Sequence, residues 1–378
     1  MPLRVLIVPD KFKGSLTAHA AASAIAAGWR KARPADRVEV LPMSDGGDGF
    51  GAVLGGLLGA RRHYTRTVDA AHRPLRGLWW RDKAAKTAII DSAGIIGLAM
   101  LPAGKFHPFQ LDSFGLGKVM QAAVKAGATS GIVGIGGSAT NDGGFGMARA
   151  LGWKFFNKNR EELEEWWRLH ELADVRPPAR SLPWKITVAV DVANPLLGPK
   201  GCSRIYGPQK GLRPQDFKLA HKCLGRLASV LKEQHGIDCA KTAGAGAAGG
   251  LGFGLMAFAG ARMKSGFEVF AHCARLEEKI GRADVVITGE GRMDHQTYMG
   301  KGVGQIAQRC RKLGVPCLAL AGIILEPARA RQLFAQTRAL TEITHLKAAQ
   351  SKAAMHLQQL AGEMAKAFHH SHSSHKSH

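Results

Sequence analysis

Residues 3–29 read LRVLIVPDKFKGSLTAHAAASAIAAGW, and this stretch decides the fold class. The apolar, β-branched run Leu3–Val8 predicts a buried strand. The alanine-rich run Ala18–Trp29 predicts a helix, with Thr17 as its N-cap because a threonine hydroxyl can accept from a free helix amide. A buried strand that leads through a short loop into a helix is the building unit of α/β proteins.

The same alternation continues along the chain. Further strands are predicted at Arg37–Leu41, Gly131–Ile135, Lys185–Val190, Asp284–Thr288 and Pro316–Ala321. Helices are predicted at Gly115–Ala126, Pro214–Gln234 and Val303–Leu313. Three shorter strands, Tyr64–Val68, Leu75–Trp80 and Thr87–Asp91, follow one another without helices and indicate a meander. We therefore expect an α/β protein with largely parallel sheets, which binds ligands beyond the carboxyl ends of its strands.

The size and composition are those of a globular protein. A length of 378 residues predicts two domains. No run of 18 or more uncharged apolar residues occurs and the first residues lead straight into a strand, so we expect a cytoplasmic protein that does not enter a membrane. The six cysteines form no C-x-x-C pair, which argues against a zinc ribbon or a redox dithiol.

The net charge of +23 is unusual and raises the question of a polyanionic partner. The basic residues form no block longer than short pairs such as Arg61 and Arg62, and aromatic residues do not alternate with them. A nucleic-acid partner is therefore disfavoured. A dispersed basic surface on an enzyme that handles anions is the simpler interpretation.

Acidic residues are scarce, 29 against 52 basic ones, yet several lie in glycine-rich loops just after predicted strands. These are Asp10, Asp45, Asp48, Asp142, Asp191, Glu290 and Asp294. A carboxylate repels a phosphate unless a cation lies between them, so this grouping predicts Mg²⁺. For any single loop, the alternative is that Asp and Gly simply form turns and N-caps.

The strongest signal for anion binding is residues 134–144, GIGGSATNDGG. Its glycines let the backbone approach an anion closely, and Ser138, Thr140 and Asn141 add neutral donors. The spacing differs from the dinucleotide fingerprint G-x-G-x-x-G. The chain also lacks the Walker A motif and the protein-kinase motifs, which excludes those two kinase classes.

Two further loops combine acidic and basic residues. Residues 288–297, TGEGRMDHQT, supply Glu290, Asp294 and Arg292, and Lys301 follows shortly after. That combination fits metal binding together with neutralisation of a moving phosphoryl group. Residues 10–15, DKFKGS, place Lys13 beside the start of a helix, where it suits a carboxylate or a phosphate.

With these loops in this order, nearly the whole chain resembles the glycerate kinase type I family. The matching blocks are residues 10–16, 45–47, 134–144, 191–195, 207–211, 244–250 and 288–301. The resemblance implies transfer of the ATP γ-phosphoryl group to D-glycerate, which gives 2-phosphoglycerate or 3-phosphoglycerate. ATP and Mg²⁺ are the implied cofactors, D-glycerate is the implied partner, and a homodimer is an additional expectation.

The resemblance also implies two α/β domains. A Rossmann-like or restriction-enzyme-like domain is formed by both chain ends, residues 1–66 and 283–368. A flavodoxin-like domain, residues 67–282, is inserted between them. The histidine-rich residues 369–378 are expected to form a disordered tail.

Loop chemistry and resemblance together assign roles to individual residues. The predicted catalytic residues are Asp191, as a base for the glycerate hydroxyl, and the charge-neutralising Lys13 and Arg292; a metal-binding role for Asp191 stays open. The predicted substrate-binding and ATP-binding residues are Gly136, Gly137, Ser138, Thr140, Asn141, Ser15, Asn194, Lys210 and Lys301. The predicted Mg²⁺ ligands are Glu290, Asp294 and Asp45.

Some positions depart from the family pattern. Lys11, Asp48, Phe50 and Asp91 stand where Ser, Glu, Thr and Glu are usual. Lys11 adds a positive charge to the anion-binding end, and Asp48 shortens a carboxylate by one methylene. Two alternatives stay open: a basic nucleic-acid-binding protein, and a catalytically inactive scaffold with the kinase fold.

Overall fold

The computed structural model describes residues 1–180 and 183–368. The chain divides into two compact units, each with a hydrophobic core of its own. The first unit combines Met1–Ser44 with the chain from Ala274 onward, and the second is the inserted segment Asp45–Cys273. The predicted tail, residues 369–378, lies outside the described residues.

The strands and helices of the described residues are numbered in chain order. The strands are β1 (Arg4–Pro9), β2 (Arg37–Val40), β3 (Arg61–Val68), β4 (Pro74–Asp82), β5 (Thr87–Asp91), β6 (Ser130–Gly134), β7 (Lys154–Asn157), β8 (Leu172–Arg176), β9 (Lys185–Ala189), β10 (Arg262–Lys264), β11 (Val285–Met293), β12 (Cys317–Ile324) and β13 (Gln336–Ala339). The α-helices are α1 (Ala18–Ala32), α2 (Phe50–Leu57), α3 (Ala93–Ile96), α4 (Phe114–Lys125), α5 (Phe145–Ala150), α6 (Cys202–Ile205), α7 (Phe217–His235), α8 (Ala247–Ala259), α9 (Gly266–Ala274), α10 (Leu276–Arg282), α11 (His295–Tyr298), α12 (Val303–Lys312), α13 (Pro327–Leu333), α14 (Leu346–Ser351) and α15 (Ala353–Ala367). Short 3₁₀ helices span Leu98–Met100, Pro108–Gln110, Trp166–Glu171, Pro208–Lys210, Pro214–Asp216 and Leu340–Glu342.

The first unit is built on a five-stranded parallel sheet in the order β13-β12-β11-β1-β2. The chain leaves β1 towards β2 on one side, whereas β11 continues through β12 to β13 on the other. The strand order therefore reverses between β1 and β11, the point where open α/β sheets bind ligands. Helix α1 starts as predicted, with the amide of Ala20 donating to Thr17 Oγ1 over 3.1 Å.

The second unit contains a six-stranded sheet in the order β10-β9-β6-β5-β4-β3. Strands β3, β4 and β5 pair antiparallel, which confirms the predicted meander. Strands β5, β6, β9 and β10 pair parallel, so their carboxyl ends share one edge of the sheet. The α/β class with largely parallel sheets is confirmed.

The limits of the two units differ from the expected 66/67 and 282/283. Strand β3 pairs with β4 from Arg61 to Val68, so a limit after residue 66 would divide a strand within its sheet. Helix α2 also belongs with this sheet, because a Cβ on Gly51 would lie 2.2 Å from the Trp80 ring. At the other end, α10 belongs with the first unit, where Arg309 of α12 donates to Glu277 over 2.6 Å.

Candidate active site

In the first unit, two predicted loops lie side by side at the point where the strand order reverses. Pro9 pairs with Gly289, and the amide of Asp10 donates to the Gly289 carbonyl over 2.8 Å. A Cβ on Gly291 would lie 3.0 Å from the Lys13 amide nitrogen, so a larger residue at this position would have to push the two loops slightly apart. We call residues 10–15 together with residues 289–301 the β1–β11 edge.

The predicted carboxylates of the β1–β11 edge also hold the loop in shape. Thr297 Oγ1 donates to Glu290 Oε1 over 2.6 Å. Asp294 caps the short helix α11, because its Oδ1 accepts from the amide of Gln296 over 2.9 Å. Arg292 Nε lies 3.5 Å from Asp294 Oδ2, and two thirds of the Arg292 side chain is exposed. Asp294 thus has the helix-capping role that the alternative predicted. Arg292 remains exposed and can bind an anion.

The remaining predicted residues of this edge differ in exposure and in their hydrogen-bond partners. Lys13 and Lys301 are exposed. The Ser15 hydroxyl donates to the Phe12 carbonyl over 3.0 Å and closes the turn. Over residues 1–180 and 183–368, no group of three or more His, Cys, Asp or Glu side chains is arranged to hold a metal ion.

In the second unit, the carboxyl ends of four parallel strands bring predicted residues together. Asp91 ends β5, residues 134–144 follow β6, Asp191 follows β9 and Ser265 follows β10. The loop at residues 45–49 packs on these ends, since the amide of Gly136 donates to the Gly46 carbonyl over 3.0 Å. We call these loops the glycine-loop edge.

Asp191 is held firmly at the glycine-loop edge. Its Oδ1 accepts from Ser265 Oγ over 2.7 Å and from the amide of Gly266 over 2.9 Å, and its Oδ2 accepts from the amide of Phe267 over 3.3 Å. Burial raises the pKa of Asp191; the Ser265 hydrogen bond opposes this rise and the charge of Asp45 adds to it. Asp191 and Asp45, predicted from separate loops, are thus close enough to interact electrostatically.

Asp91 anchors the loop at residues 45–49, a role that the sequence patterns did not indicate. Its Oδ2 accepts from the amides of Gly49 and Gly51 over 3.0 and 3.3 Å, and its Oδ1 accepts from the amide of Ala93 over 3.1 Å. Burial raises the pKa of Asp91 to about 6, against the opposing effect of these hydrogen bonds and with a further contribution from Asp48. Its position as the last residue of a predicted strand was the one available signal.

Within residues 134–144, the polar side chains have different partners. Ser138 Oγ donates to the Ala248 carbonyl over 3.1 Å and accepts from Lys210 Nζ over 3.0 Å. Its proton is therefore used within the protein. The Thr140 hydroxyl and both amide atoms of Asn141 are buried without a hydrogen-bond partner among the described residues. Thr140 and Asn141 are therefore the side chains of this loop whose polar atoms are still unpaired.

Two glycines of this loop are required by the packing. A Cβ on Gly136 would lie 2.6 Å from the Cα of Gly47. Gly137 has a φ of +76°, and a Cβ there would lie 1.7 Å from Asp48 Oδ1. Gly137 is exposed and Gly136 is half-buried, so the turn also reaches the surface at the strand ends.

Two polar residues of these loops serve the fold. Asn194 uses both ends of its amide, because Nδ2 donates to the Lys200 carbonyl over 2.9 Å and Oδ1 accepts from Tyr206 over 2.6 Å. Asp142 is fully buried and accepts from Ser113 Oγ over 2.7 Å. Asn194 thus holds the loop after β9 in place.

Comparisons with known proteins place the chain among glycerate kinases. The sequence profile of the glycerate kinase family matches residues 5–369. The glycerate 2-kinase of Escherichia coli K12 is 39% identical over 332 residues, which cover 86% of each chain. The glycerate kinase of Halalkalibacterium halodurans is 37% identical over 322 residues, which cover 84% of this chain and 85% of that protein.

A solved structure is similar over almost the full length. The crystal structure of a Salmonella typhimurium LT2 protein assigned as glycerate kinase 2 superposes with a TM-score of 0.82 at 31% identity and covers 96% of this chain and 97% of that one. In the described part of this chain, no helix is long and apolar enough to cross a membrane.

Proposed function

The chain belongs to the glycerate kinase family and is a kinase, and from that premise we propose that it transfers the γ-phosphoryl group of ATP to D-glycerate to give 2-phosphoglycerate. The name of the Escherichia coli relative, a glycerate 2-kinase, supports this choice of product over 3-phosphoglycerate. The observation that carries the proposal is the family match over residues 5–369. The placement of the loop residues at the carboxyl ends of parallel strands agrees with it.

The β1–β11 edge has groups that suit a nucleotide. Lys13, Arg292 and Lys301 are exposed cations there, and an anionic phosphate gains from each of them. Glu290 and Asp294 offer the carboxylate oxygens that Mg²⁺ prefers. Asp45, also proposed as a ligand, belongs to the glycine-loop edge of the second unit. When bound, Mg²⁺ would neutralise charge on the phosphate oxygens.

Asp191 is the proposed base for the hydroxyl of glycerate. A carboxylate with a raised pKa binds a proton more readily, which suits a group that accepts one from an alcohol. Burial and the nearby charge of Asp45 act in that direction. The hydrogen bonds from Ser265 and Gly266 fix the orientation of the carboxylate, so little reorganisation accompanies proton transfer.

The experiment is a coupled assay of ADP release with and without D-glycerate. We expect ADP release that depends on D-glycerate, falls to background with L-glycerate or with EDTA, and recovers with added Mg²⁺. Coupling the product to enolase, which uses 2-phosphoglycerate directly, identifies the isomer. Binding of ATP without turnover of D-glycerate would instead support an inactive scaffold.

Location and assembly stay predictions. The cytoplasmic location and the absence of a nucleic-acid partner are expected from the sequence patterns, and a homodimer is a further proposal. Light scattering after size-exclusion chromatography measures the molar mass in solution, which should be twice that of one chain for a homodimer. A titration with single-stranded RNA over a range of salt concentrations measures the affinity for nucleic acid, which should be negligible.

A further inference from the structure

Lys210 is a buried lysine without a carboxylate partner. Only 6% of the residue is exposed, and Nζ donates to Ser138 Oγ over 3.0 Å and to the Thr140 carbonyl over 2.7 Å. Over the described residues, no carboxylate oxygen lies within 4.0 Å of this ammonium group. Burying a charge without a counter-ion is costly, so the missing negative charge needs an explanation.

The lowered pKa of Lys210 agrees with the absence of a carboxylate partner. Burial lowers the pKa of Lys210 to about 8. The titratable groups that face it, Cys202 and Asp142, raise its pKa only in part. Asp142 is itself committed to Ser113 and to the amide of Gly146. A negative group from outside the chain would restore the ordinary pKa of the lysine.

Two residues near Lys210 also have polar atoms without hydrogen-bond partners. Thr140 and Asn141 are fully buried, and the Thr140 hydroxyl, Asn141 Nδ2 and Asn141 Oδ1 have no partner among the described residues. A buried polar group that stays unpaired destabilises the fold. Together with Lys210, the cluster offers one cation, two unmatched donors and one unmatched acceptor. We call Lys210, Thr140 and Asn141 the buried polar cluster.

A hydroxycarboxylate has the groups that would pair with this cation, these donors and this acceptor. Its carboxylate carries one negative charge and two acceptor oxygens, which match Lys210 and the two donors. A hydroxyl of the same molecule can donate to Asn141 Oδ1. A triphosphate carries several negative charges, for which one ammonium group is insufficient. The cluster therefore favours the acceptor substrate over the nucleotide.

We propose that the buried polar cluster is the subsite that recognises the carboxylate and one hydroxyl of the acceptor substrate, and so sets the preference for hydroxycarboxylates. This inference rests on the proposed function and deepens it. Ser138, a hydrogen-bond partner of Lys210, directly follows the turn at Gly136 and Gly137, where the loop reaches the surface.

The kinetic test compares Lys210→Met with Lys218→Met, which removes an exposed lysine of α7 in the same unit. A charged hydrogen bond to the substrate is worth about 10- to 100-fold in binding. We expect the KM for D-glycerate to rise by that factor in Lys210→Met, the KM for ATP to stay within about twofold, and Lys218→Met to match the wild type. Lys210→Met should also lose the preference for D-glycerate over glycerol, which lacks the carboxylate. A rise in the KM for ATP instead would overturn the assignment.

A second measurement uses the unaltered protein and covers the case in which Lys210→Met does not fold. Binding of a carboxylate restores the charged form of Lys210, so D-glycerate should draw in protons at pH 8 and none at pH 6. Calorimetry in two buffers of different ionisation enthalpy measures this uptake. Binding without proton uptake at pH 8 would contradict the proposal.

The two proposals fail in different ways. Calorimetric titration with D-glycerate alone needs no turnover. Binding with proton uptake, but without ADP release in the kinase assay, would refute the proposed function and retain the subsite. Normal turnover in the wild type with an unchanged KM for D-glycerate in folded Lys210→Met would refute the subsite and retain the function.

Discussion

At the scale of single residues, the acidic side chains after the strands share a loop position but differ in what surrounds them. Asp91 is buried and Asp191 is half-buried, each carboxylate accepts from backbone amides, and both pKa values are raised. Asp294 is partly exposed and caps a helix. Burial and the donors that each carboxylate meets set its chemistry, so residues that look equivalent in a sequence motif can have different roles.

The proposed base gives the first prediction. Asp191→Asn keeps an acceptor for Ser265 and Gly266 but cannot bind a proton, so turnover should fall by about two to four decades while ATP binding is kept. Turnover and nucleotide affinity measure the effect. Ser265→Ala, which removes one hydrogen bond to Asp191 and leaves the carboxylate, is the matched control and should lose far less. Near-wild-type turnover in Asp191→Asn would remove the residue from the mechanism.

The raised pKa of Asp91 gives a prediction of pH dependence. Its pKa is about 6 in the folded chain against an ordinary 3.8, so between these values the folded state holds a proton that the unfolded state has lost. Protonation of Asp91 therefore contributes its full stabilisation of the folded state below about pH 4. This contribution, roughly 3 kcal/mol for a pKa shift of about two units, is lost as the pH rises through 6.

The variant Asp91→Asn isolates this contribution. The difference in unfolding free energy between the wild type and Asp91→Asn should decrease as pH rises from about 4 to about 6, as measured by urea unfolding at each pH. Asp82→Asn, which removes a carboxylate at the end of β4, serves as the matched control. A difference that is constant over this range would show that Asp91 does not titrate there.

At the scale of secondary-structure elements, one irregular turn shapes the glycine-loop edge. Ala248, Gly249 and Gly250, near the start of α8, have φ values of +56°, +71° and +86°. The Ala248 carbonyl accepts from Ser138, and the Gly249 carbonyl accepts from the amide of Gly143. The left-handed turn thus holds the loop after β6 in place through backbone and side-chain contacts.

A pair of glycine substitutions tests how much this close packing contributes. Gly249→Ala would place its Cβ 1.9 Å from the Thr140 carbonyl oxygen, in addition to the strain of a positive φ. Gly236→Ala has a similar φ of +66°, but nothing lies within 4 Å of its Cβ. We expect about 1–2 kcal/mol of destabilisation for Gly236→Ala. Gly249→Ala should cost about 1–3 kcal/mol more, since overpacking adds to the strain. Equal melting temperatures in the two variants would contradict this.

At the scale of the whole molecule, the separation of the cores indicates two folding units. The larger core contains buried residues from Ala70 to Ala261 only, all of them in the inserted segment. The other core combines residues 3–29 with residues 285–365. Each sheet is likewise complete within its own unit. A segment that contains a whole sheet and its core has the parts that an independent domain needs.

The inserted segment should therefore fold when expressed alone. We expect residues 45–273 to give a helix and strand content close to that of the unit and one cooperative transition, as measured by circular dichroism and thermal unfolding. The fragment 67–282 lacks α2 and most of β3, which leaves Trp80 uncovered, and should be clearly less stable. Equal stability of the two fragments would argue against the limits at residues 45 and 273.

Local sequence predicted many of the elements and indicated which loops contain candidate functional residues. Thr17 caps α1 and the strands near Leu3, Gly131 and Lys185 form where the apolar runs predict them, because capping and side-chain periodicity depend on near neighbours. The family match and the α/β class followed from such patterns. Helix α15 was not predicted, although its buried residues Leu357, Leu360, Ala361 and Met364 have helical spacing. Its position against α1, where a Cβ on Gly28 would lie 2.0 Å from the Gln358 carbonyl oxygen, depends on tertiary packing.

Only the tertiary structure decided which polar groups are paired within the protein and which stay unpaired. Ser138, Thr140 and Asn141 look alike as donors in the sequence, yet Ser138 is bound to Ala248 and Lys210 while the other two side chains have no partner among the described residues. Ala248 and Lys210, the two partners of Ser138, lie 110 and 72 residues further along the chain. Hydrogen-bond satisfaction depends on contacts between distant segments, so a loop motif can locate a site but cannot say which of its atoms are free to act.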